Sequence, residues 1–307
     1  MLGIQEISSY IPGKRVSNYE RTEKFGITAD FINEKIGVRS ISIRDPSEES
    51  SDLCIKAFHN LAAKTKIKKE DIDVLIVITQ NPDFSLPQTS AIVHGKLDMP
   101  EKCASFDISL GCSGFVYGLS VIQSFMKENE FRTGLLFTSD PYSKIINPDD
   151  KNTSLLFGDA AAVTLISDNP KYVTGKFSYG TTGKDYQDLI CKDGKLIMNG
   201  RSVFNFAAKT VPKDVINCMN LNHLTLAEID RFVFHQGSLH IVNTIAKRLE
   251  LPQEKVVFDA WNYGNTVSSS IPILLENEMN GNNNKIIFIS GFGVGLSWAS
   301  TILIRSK

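Results

Sequence analysis

Hydrophobic and polar positions along the chain follow two periods, one typical of buried strands and one typical of amphipathic helices. Short apolar runs bounded by polar or turn residues predict buried strands at residues 74–79, 105–109, 134–138, 161–166, 232–235, 285–290 and 299–304. Apolar positions spaced three and four apart predict helices at residues 51–64, 89–96, 114–127, 202–219, 239–249 and 268–280. Because the two patterns alternate through most of the chain, the sequence predicts an α/β fold.

One apolar stretch imitates a membrane span. Residues 286–304 contain no charged side chain, and the stretch is long enough to cross a bilayer. Gly291, Gly293 and Gly295 lie at its centre, so two buried strands joined by a glycine turn explain it better. The N-terminus lacks the basic region of a signal peptide, and Glu6 interrupts its apolar run. We therefore expect no association with a membrane.

Two pairs of segments resemble each other across the chain. Residues 68–80 and 225–236 each contain a polar helix-start pattern, then Ile-Asp, then an apolar strand that ends near a glutamine. The strands Gly-Leu-Leu-Phe-Thr-Ser and Lys-Ile-Ile-Phe-Ile-Ser form a second pair. Chance is the alternative, because Ile-Asp before a buried strand is common, but both pairs are separated by about 150 residues. We predict a duplicated half-domain, with halves at residues 1–170 and 171–307.

Composition and charge exclude several classes of function. The chain has 307 residues, of which 42% are hydrophobic and 22% charged, as in ordinary globular proteins. A formal net charge of −1 provides no basic field, so we expect no nucleic-acid partner. Without a CxxC pair or an HExxH pattern, we expect no metal site. The odd number of irregularly spaced cysteines fits a reducing cytoplasm better than secretion; they are Cys54, Cys103, Cys112, Cys191 and Cys218.

Cys112 lies at the most informative junction of the chain, between a predicted strand and a predicted helix. Phe115, Leu119 and Ile122 recur at spacings of four and three, so a helix begins close to Cys112. The unpaired backbone N–H groups and the dipole at a helix start both favour a thiolate, the nucleophilic form of cysteine. We interpret Cys112 as a covalent catalyst. The alternative is a core cysteine, because free cysteines are among the most buried residues.

A lone catalytic cysteine needs a base or an electrostatic partner from elsewhere in the chain. His235 ends a predicted strand, and side chains at the carboxyl ends of such strands line the ligand crevice of α/β sheets. Asn265 stands at a helix start, where its amide can donate to a substrate oxygen or, alternatively, cap the helix. The glycine-rich run 291–295 is better suited to an oxyanion hole than to a nucleotide phosphate.

The order of these features resembles the thiolase superfamily, and within it the β-ketoacyl-acyl-carrier-protein synthase III branch. The order is Gly-Cys-Ser-Gly-Phe around Cys112, His-Gln at His235, Gly-Asn-Thr at Asn265, and a glycine-rich turn before Ser-Trp. The resemblance covers nearly the whole chain, including the Phe157-Gly-Asp pattern and the early segment 31–39. It implies a five-layer αβαβα core from two duplicated halves, a homodimer, and a Cys-His-Asn triad on Cys112, His235 and Asn265.

The resemblance also implies a reaction and its substrates. Cys112 would take an acyl group from a thioester, and His235 and Asn265 would stabilise the enolate formed when a malonyl thioester loses carbon dioxide. Backbone N–H groups of Cys112 and Gly295 would form the oxyanion hole. No cofactor would be bound permanently, and the substrates would be acyl-CoA or acyl-phosphopantetheine. The partners would be coenzyme A thioesters and acyl carrier protein, and the product would serve fatty-acid or specialised-metabolite synthesis.

Several positions depart from the family pattern at the substrate entrance. Phe31 falls on the tryptophan that stacks on the adenine of coenzyme A, and it lacks the indole N–H. Lys35 and Lys151 fall on two arginines near the nucleotide, so they keep the charge but lose the bidentate fork. Leu86 falls on an aromatic gate contributed across the dimer, which predicts room for a longer or branched acyl chain. Phe204 is a further candidate for substrate contact.

The carrier-docking positions differ as well. The family's His-Gln-Ala-Asn reads His-Gln-Gly-Ser, which places Ser238 among the substrate-binding candidates. His240 replaces an arginine tied to carrier docking and would hold an acidic helix less well, while Lys247 and Arg248 remain as docking charges. Because these changes spare the triad, we expect retained chemistry with a shifted substrate or carrier.

Two other functions stay open on the sequence alone. The same triad could transfer an acyl group to an amine, an alcohol or a β-keto nucleophile, with His235 as the general base. A non-catalytic partner subunit of a heteromeric synthase is the other alternative. Such subunits usually lose their nucleophile or histidine, whereas Cys112, His235 and Asn265 are all present here.

Overall fold

The computed structural model describes residues 1–281 and 284–306. Its strands are β1 (Gly3–Tyr10), β2 (Arg15–Ser17), β3 (Ser40–Ser42), β4 (Val74–Ile78), β5 (Ala104–Ile108), β6 (Thr133–Ser139), β7 (Ala161–Ser167), β8 (Tyr172–Thr174), β9 (Ser178–Thr181), β10 (Leu189–Lys192), β11 (Lys195–Met198), β12 (Arg231–Phe234), β13 (Val256–Val257), β14 (Ile286–Gly293) and β15 (Ser297–Arg305). Its α-helices are α1 (Thr22–Phe25), α2 (Ser50–Lys64), α3 (Thr89–Lys96), α4 (Gly114–Glu128), α5 (Lys151–Ser154), α6 (Gly200–Asn222), α7 (Leu239–Arg248) and α8 (Ser270–Gly281).

Each strand and helix predicted from the hydrophobic pattern is present, with ends shifted by at most a few residues. The pattern missed β1, because this buried strand carries Glu6 and Ser8 on positions that are not exposed. The Glu6 carboxylate is compensated by the Lys171 ammonium at 2.6 Å, a partner far along the chain. The short strands β8 to β11 and β13 were also missed, since two to four residues carry no clear period.

The strand order repeats between the two halves of the chain. Among the described residues, eleven strands form one mixed sheet, in the order β13-β12-β14-β15-β8-β1-β7-β6-β4-β5 with β9 paired to β15. Reading inwards from each edge, two parallel pairings are followed by two antiparallel pairings. The two pairs of similar segments fall on equivalent strands, β4 with β12 and β6 with β14. The strand order shows two equivalent halves, and the boundary between residues 170 and 171 stays a prediction.

The helices complete five layers around the two halves of the sheet. Helices α4 and α8 contact strands of both halves, so they form the middle layer. Helices α2 and α3 cover the outer face of the first half, and α6 and α7 cover the outer face of the second. The predicted αβαβα order is therefore confirmed.

The apolar stretch near the C-terminus is a buried hairpin. Strands β14 and β15 pair antiparallel from Ile286–Ile304 to Gly293–Ser297, and the turn between them is Val294–Leu296. The interpretation as two strands joined by a glycine turn is confirmed. No helix within the described residues is long and apolar enough to cross a membrane.

Candidate active site

Cys112 lies between the end of β5 and the start of α4, as the sequence predicts. Ser113 is the N-cap of α4, so the cysteine lies one position before the cap and two before the first helical residue. The N–H of Gly114 donates to the carbonyl of Gly111 at 2.8 Å, which turns the backbone tightly around Cys112. The local sequence thus presents the sulfur at the end of a rigid strand and the beginning of a rigid helix.

The glycine-rich end of β14 packs directly against Cys112. A Cβ at Gly293 would lie 2.8 Å from the cysteine sulfur, and one at Gly291 would lie 2.6 Å from the cysteine carbonyl oxygen. Only glycine allows such an approach between two backbones. The backbone N–H of Val294 comes within hydrogen-bonding reach of the sulfur. The run therefore brings the backbone N–H of Val294 close to the nucleophile, and the oxyanion hole stays a prediction.

The thiol of Cys112 holds its proton more firmly than an exposed cysteine does. Burial raises the pKa of Cys112 to about 12, and the negative charge of Asp140 acts in the same direction. Burial therefore acts against the preference for the thiolate that the helix start predicts. The side chain is 4% exposed, and the loss of hydration raises the pKa more than the backbone N–H groups of Val294 and Cys112 lower it.

His235 follows β12 directly, and its ring is buried. The ring meets Phe292 edge-on, with a centroid separation of 5.6 Å. Its Nδ1 lies 2.8 Å from the hydroxyl oxygen of Ser270. Burial lowers the pKa of His235 to about 3, so the imidazole is neutral at physiological pH. Nδ1 is engaged by Ser270, and a hydrogen bond with the Val267 backbone raises the pKa of His235 by less than burial lowers it.

Asn265 is held from both halves of the chain. Its backbone N–H donates to the Leu156 carbonyl at 2.8 Å, and its carbonyl accepts from the Gly158 N–H at 3.0 Å. Its side-chain Oδ1 accepts from the Val267 N–H at 2.9 Å, which leaves the two amide N–H donors for another partner. Val267 begins the 3-10 turn Val267–Ser269 that leads into α8 at Ser270, so the Oδ1 bond agrees with the alternative of a local cap at this helix start.

Val267 lies beside the three side chains, and its backbone conformation is strained. Its φ of +54° lies in the left-handed region, which is unusual for a β-branched residue. Its N–H is bound to Asn265, and its side chain packs in the same apolar cluster as Cys112. Strain of this kind persists only where surrounding contacts hold the backbone, and it concentrates at functional sites.

Cys112, His235 and Asn265 line one cavity of about 350 Å³. Three elements far apart in the sequence therefore bring a thiol, an imidazole and an amide to a common space. A cavity with few polar groups and an apolar wall suits an acyl chain whose carbonyl meets those groups. The apolar wall includes Leu155, Leu156, Phe157, Leu189, Met198, Val203, Ile241 and Phe292.

The cavity wall includes most of the predicted substrate-binding residues, which are Phe31, Lys35, Lys151, Phe204 and Ser238, and the predicted carrier-docking residue His240 lies beside them at the mouth. The Lys151 ammonium lies over the Phe31 ring at 5.4 Å, a cation–π contact. The Phe204 and His240 rings stack at 4.9 Å with an interplanar angle of 8°. Ser238 also caps α7, because its hydroxyl accepts from the Ile241 N–H at 3.3 Å.

Four predicted residues lie outside the cavity wall. Leu86 is 87% exposed on the loop after β4. Lys247 and Arg248 are exposed in the last turn of α7, at the opposite end of that helix from Ser238. Gly295 lies in the turn after β14 with φ of +135°, a conformation suited to glycine, while Gly293 and Val294 lie nearest the sulfur.

Sequence reasoning missed the residues that hold the site together. Ser270 fixes His235, and Asp140 lies close enough to Cys112 to raise its pKa. The run Ser268–Ser270 was a visible signal, because three consecutive small hydroxyl residues at a helix start favour side-chain bonds over helix propagation. Asp140 gave no comparable signal, since its partners lie far along the chain.

Comparison with known proteins places the chain in one family. The family model described as 3-oxoacyl-[acyl-carrier-protein (ACP)] synthase III matches residues 106–183, and the model of its C-terminal part matches residues 219–304. A β-ketoacyl-[acyl-carrier-protein] synthase III from Caldanaerobacter subterraneus is 33% identical, across 99% of this chain and 98% of that protein.

Solved structures agree with the sequence comparison. A 3-oxoacyl-(acyl-carrier protein) synthase from Burkholderia xenovorans superimposes with a TM-score of 0.92 at 32% identity, across 99% of this chain and 94% of that chain. The β-ketoacyl-[acyl carrier protein] synthase III of Thermus thermophilus gives a TM-score of 0.92 at 28% identity, across 99% of both chains. The chain therefore belongs to the 3-oxoacyl-[acyl-carrier-protein] synthase III family of thiolase-fold, acyltransferase-type condensing enzymes.

Proposed function

We propose that the enzyme catalyses a decarboxylative condensation in two half-reactions that share Cys112. The cysteine first takes an acyl group from a thioester, and the acyl group is then attacked by the carbanion of a decarboxylated malonyl thioester. The observation that carries the proposal is the convergence of Cys112, His235 and Asn265 on one cavity with an apolar wall. The geometry lets one acyl group meet all three side chains without leaving the cavity.

In the first half-reaction the Cys112 sulfur attacks the thioester carbonyl. A new S–C bond forms, the donor's C–S bond breaks, and the donor leaves as a thiol that carries the proton from Cys112. Backbone N–H groups of Cys112 and Gly295 are the proposed oxyanion donors, and the closeness of Gly293 and Val294 to the sulfur supports this use of the turn. Losing one such donor costs about 2.7–4 kcal/mol of transition-state stabilisation.

In the second half-reaction His235 and Asn265 donate hydrogen bonds to the malonyl thioester carbonyl. This requires the proton of His235 on Nε2, and in that tautomer Nδ1 accepts from the Ser270 hydroxyl at 2.8 Å. As carbon dioxide leaves, the electron pair of the broken C–C bond forms the enolate, which the two donors stabilise. The carbanion then attacks the acyl carbonyl, and Cys112 departs as the leaving group.

The low pKa of His235 favours this role over general-base catalysis. A group whose pKa is about 3 is a weak acceptor of the proton of an amine or an alcohol, but a neutral imidazole remains a good hydrogen-bond donor. Condensation therefore suits the site better than acyl transfer to an amine or alcohol.

The test separates the two half-reactions. With acyl-CoA alone, intact mass should increase by one acyl group, and Cys112→Ala should abolish this loading. With malonyl thioester added, the enzyme should release carbon dioxide, and His235→Ala should load normally but lose this release. Normal loading of Cys112 without release of carbon dioxide would contradict the condensation proposal. It would favour transfer of the acyl group from Cys112 to a nucleophile other than the malonyl carbanion.

The substrates that we propose are thioesters of coenzyme A or of carrier-bound phosphopantetheine. The cations Lys35 and Lys151 at the mouth suit the phosphate groups of either carrier, and Phe31 and Phe204 offer apolar rings beside them. The exposed His240, Lys247 and Arg248 would meet an acidic acyl carrier protein, as residues on one helix. No permanent cofactor is needed for either step.

We further propose that the enzyme is a homodimer that works in the cytoplasm. The sheet ends at β5, whose five residues are all half-buried, so its outer edge is open to a second copy. On the loop after the neighbouring β4, Phe84 and Leu86 are 62% and 87% exposed, which fits a place at an interface. All five cysteines are free thiols, which suits a reducing compartment.

A further inference from the structure

Asp140 is a wholly buried carboxylate directly after β6, and neither half-reaction uses it. Its Oδ1 accepts from the backbone N–H of Gln80 at 2.7 Å, and its Oδ2 accepts from the hydroxyl of Ser268 at 2.5 Å. Both partners come from other parts of the chain. A buried carboxylate is costly unless its oxygens are bonded, so these two contacts decide whether the side chain is tolerated.

The two bonds reach the two sides of the candidate site. On one side, the Gln80 side chain lies close to Gly111, the residue before Cys112. A Cβ added to Gly111 would lie 2.5 Å from the Oε1 atom of Gln80. On the other side, Ser268 lies between Asn265 and Ser270, the residue that fixes His235. Asp140 therefore links the backbone around Cys112 to the segment that supplies the amide and orients the imidazole.

Stability alone does not explain this carboxylate. Burial raises the pKa of Asp140 to about 6, compared with an ordinary value of 3.8. The folded protein thus binds the proton more tightly than the unfolded chain, so the contribution of Asp140 to stability falls as the pH rises from about 3.8 to about 6, and the loss is complete above that value. A group that costs stability at neutral pH and bonds two parts of the site is better explained by function.

We propose that Asp140 is a positioning residue, whose side-chain hydrogen bonds to Gln80 and Ser268 fix segment 265–270 relative to the Cys112 backbone for the condensation step. The inference rests on the proposed function, because it assumes that the two sides act on one acyl group. Loading needs only the cysteine and its oxyanion donors. Condensation needs Asn265 and His235 at the correct distance from the acyl-cysteine, so this step depends on the link.

The charge of Asp140 supplies a second, independent readout. The titratable groups that feel it are Cys54 on α2, Cys112 before α4, and Tyr142 in the turn after β6, and the charge raises the pKa of each. Replacing Asp140 by asparagine keeps the shape, because the amide oxygen can accept from Gln80 and the amide nitrogen can donate to the Ser268 hydroxyl, while the hydrogen bond from the Ser268 backbone N–H is lost. This variant removes the charge and keeps the contacts with Gln80 and the Ser268 hydroxyl.

The experiment compares Asp140→Asn, Asp140→Ala and Ser268→Ala with the wild type in both half-reactions. We expect Asp140→Asn to load and condense nearly as the wild type and to alkylate Cys112 severalfold faster with iodoacetamide. We expect Asp140→Ala and Ser268→Ala to load normally and to release carbon dioxide on the order of tenfold more slowly, since small misplacements of reacting groups have effects of at least this size.

The matched controls are Asp214→Asn and Asp214→Ala. Asp214 is a buried carboxylate on α6 that accepts from the Ser300 hydroxyl at 2.5 Å, the same chemistry away from the cavity. The Asp214 variants should change the melting temperature without changing the ratio of the loading rate to the rate of carbon dioxide release. The proposal would be overturned if Ser268→Ala left the ratio of these two rates unchanged. It would also be overturned if Asp140→Ala slowed loading and carbon dioxide release by the same factor.

The outcome is separate from that of the proposed function. Carbon dioxide release by the wild type tests the condensation itself, whatever the variants do. If Asp140→Ala fails to fold, Ser268→Ala still removes one bond from the link, and Asp140→Asn still tests the charge through the alkylation rate.

Discussion

Burial acts in opposite directions on the proton affinities of the two titratable groups at the reacting end of the cavity. It raises the pKa of Cys112 to about 12 and lowers the pKa of His235 to about 3. Both shifts favour the uncharged form, as the loss of hydration requires. The site therefore begins with a neutral thiol and a neutral imidazole, unlike a pair that stores a thiolate beside an imidazolium.

The first prediction concerns the reactivity of Cys112. Because only the thiolate reacts, alkylation by iodoacetamide should accelerate about tenfold per pH unit between pH 7 and 9, with no plateau. Peptide mass spectrometry would follow Cys112 separately from the exposed Cys191. A rate for Cys112 that levels off below pH 8 would mean that the thiol pKa is not raised.

The second prediction concerns His235 and acid stability. Between pH 6.5 and about 3 the unfolded chain binds a proton at this residue that the folded protein does not, so His235 lowers stability as the pH falls. From pH 7 to pH 5, His235→Gln should therefore lose less free energy of unfolding than the wild type, by about 2 kcal/mol. Urea unfolding at the two pH values measures the difference, and equal losses would contradict it.

At the scale of elements, the segment between Asn265 and α8 makes hydrogen bonds whose partners could not be predicted from the sequence. Each of its three serines bonds a residue outside the segment: Ser268 to Asp140 directly after β6, Ser269 to Thr138 in β6 at 2.8 Å, and Ser270 to His235 directly after β12. The sequence revealed a small-residue helix start but not these partners. They are set by packing between residues 35 to 131 positions apart, which no local pattern encodes.

The third prediction tests how closely the loop before β7 must approach the loop that carries Asn265. A Cβ at Gly158 would lie 1.8 Å from the Tyr263 carbonyl oxygen, and the Gly158 N–H is bonded to Asn265. Gly158→Ala should therefore cost about 3 kcal/mol or more and slow condensation more than loading. Urea unfolding and the two half-reaction assays measure both effects.

The control for this variant is Gly95→Ala on α3. Nothing lies within 4 Å of the added Cβ, and the glycine sits inside a helix. Alanine should stabilise the protein by about 0.5–1 kcal/mol, since it loses less backbone entropy. A Gly158→Ala protein as stable as Gly95→Ala would show that the two loops can separate.

At the scale of the whole molecule, the duplicated architecture was predictable and the junction between the halves was not. The alternating pattern and the paired segments gave the α/β class and the equivalent strands β4 and β12. The hydrophobic pattern did not predict the central strand β1, because this strand carries a charged residue, Glu6, that is buried against Lys171. The triad was recognised through the order of its motifs. The sequence did not predict the isolated β-bridge between Phe157 and Asn265, which holds the Asn265 loop against the first half of the chain.

The open edge of β5 allows a sharp test of the proposed homodimer. The Ala104 N–H donates to Asp73, and the Ile108 carbonyl accepts from Thr79, so residues 104 and 108 face β4. By the alternation of a strand, the N–H of Ser105 then points away from β4, toward the open edge. Proline at position 105 removes that outward donor and leaves the β4 ladder intact, a place where an edge strand tolerates proline.

The last prediction follows from this geometry. If a second copy pairs with β5, Ser105→Pro should weaken the dimer by at least about tenfold in Kd, since one lost inter-strand hydrogen bond and a blocked approach act together. Ser105→Ala keeps the N–H and should remain dimeric. Sedimentation equilibrium over a range of concentrations measures both variants. A dimer unaffected by proline would place the interface elsewhere, and the exposed Phe84 and Leu86 would then need another partner.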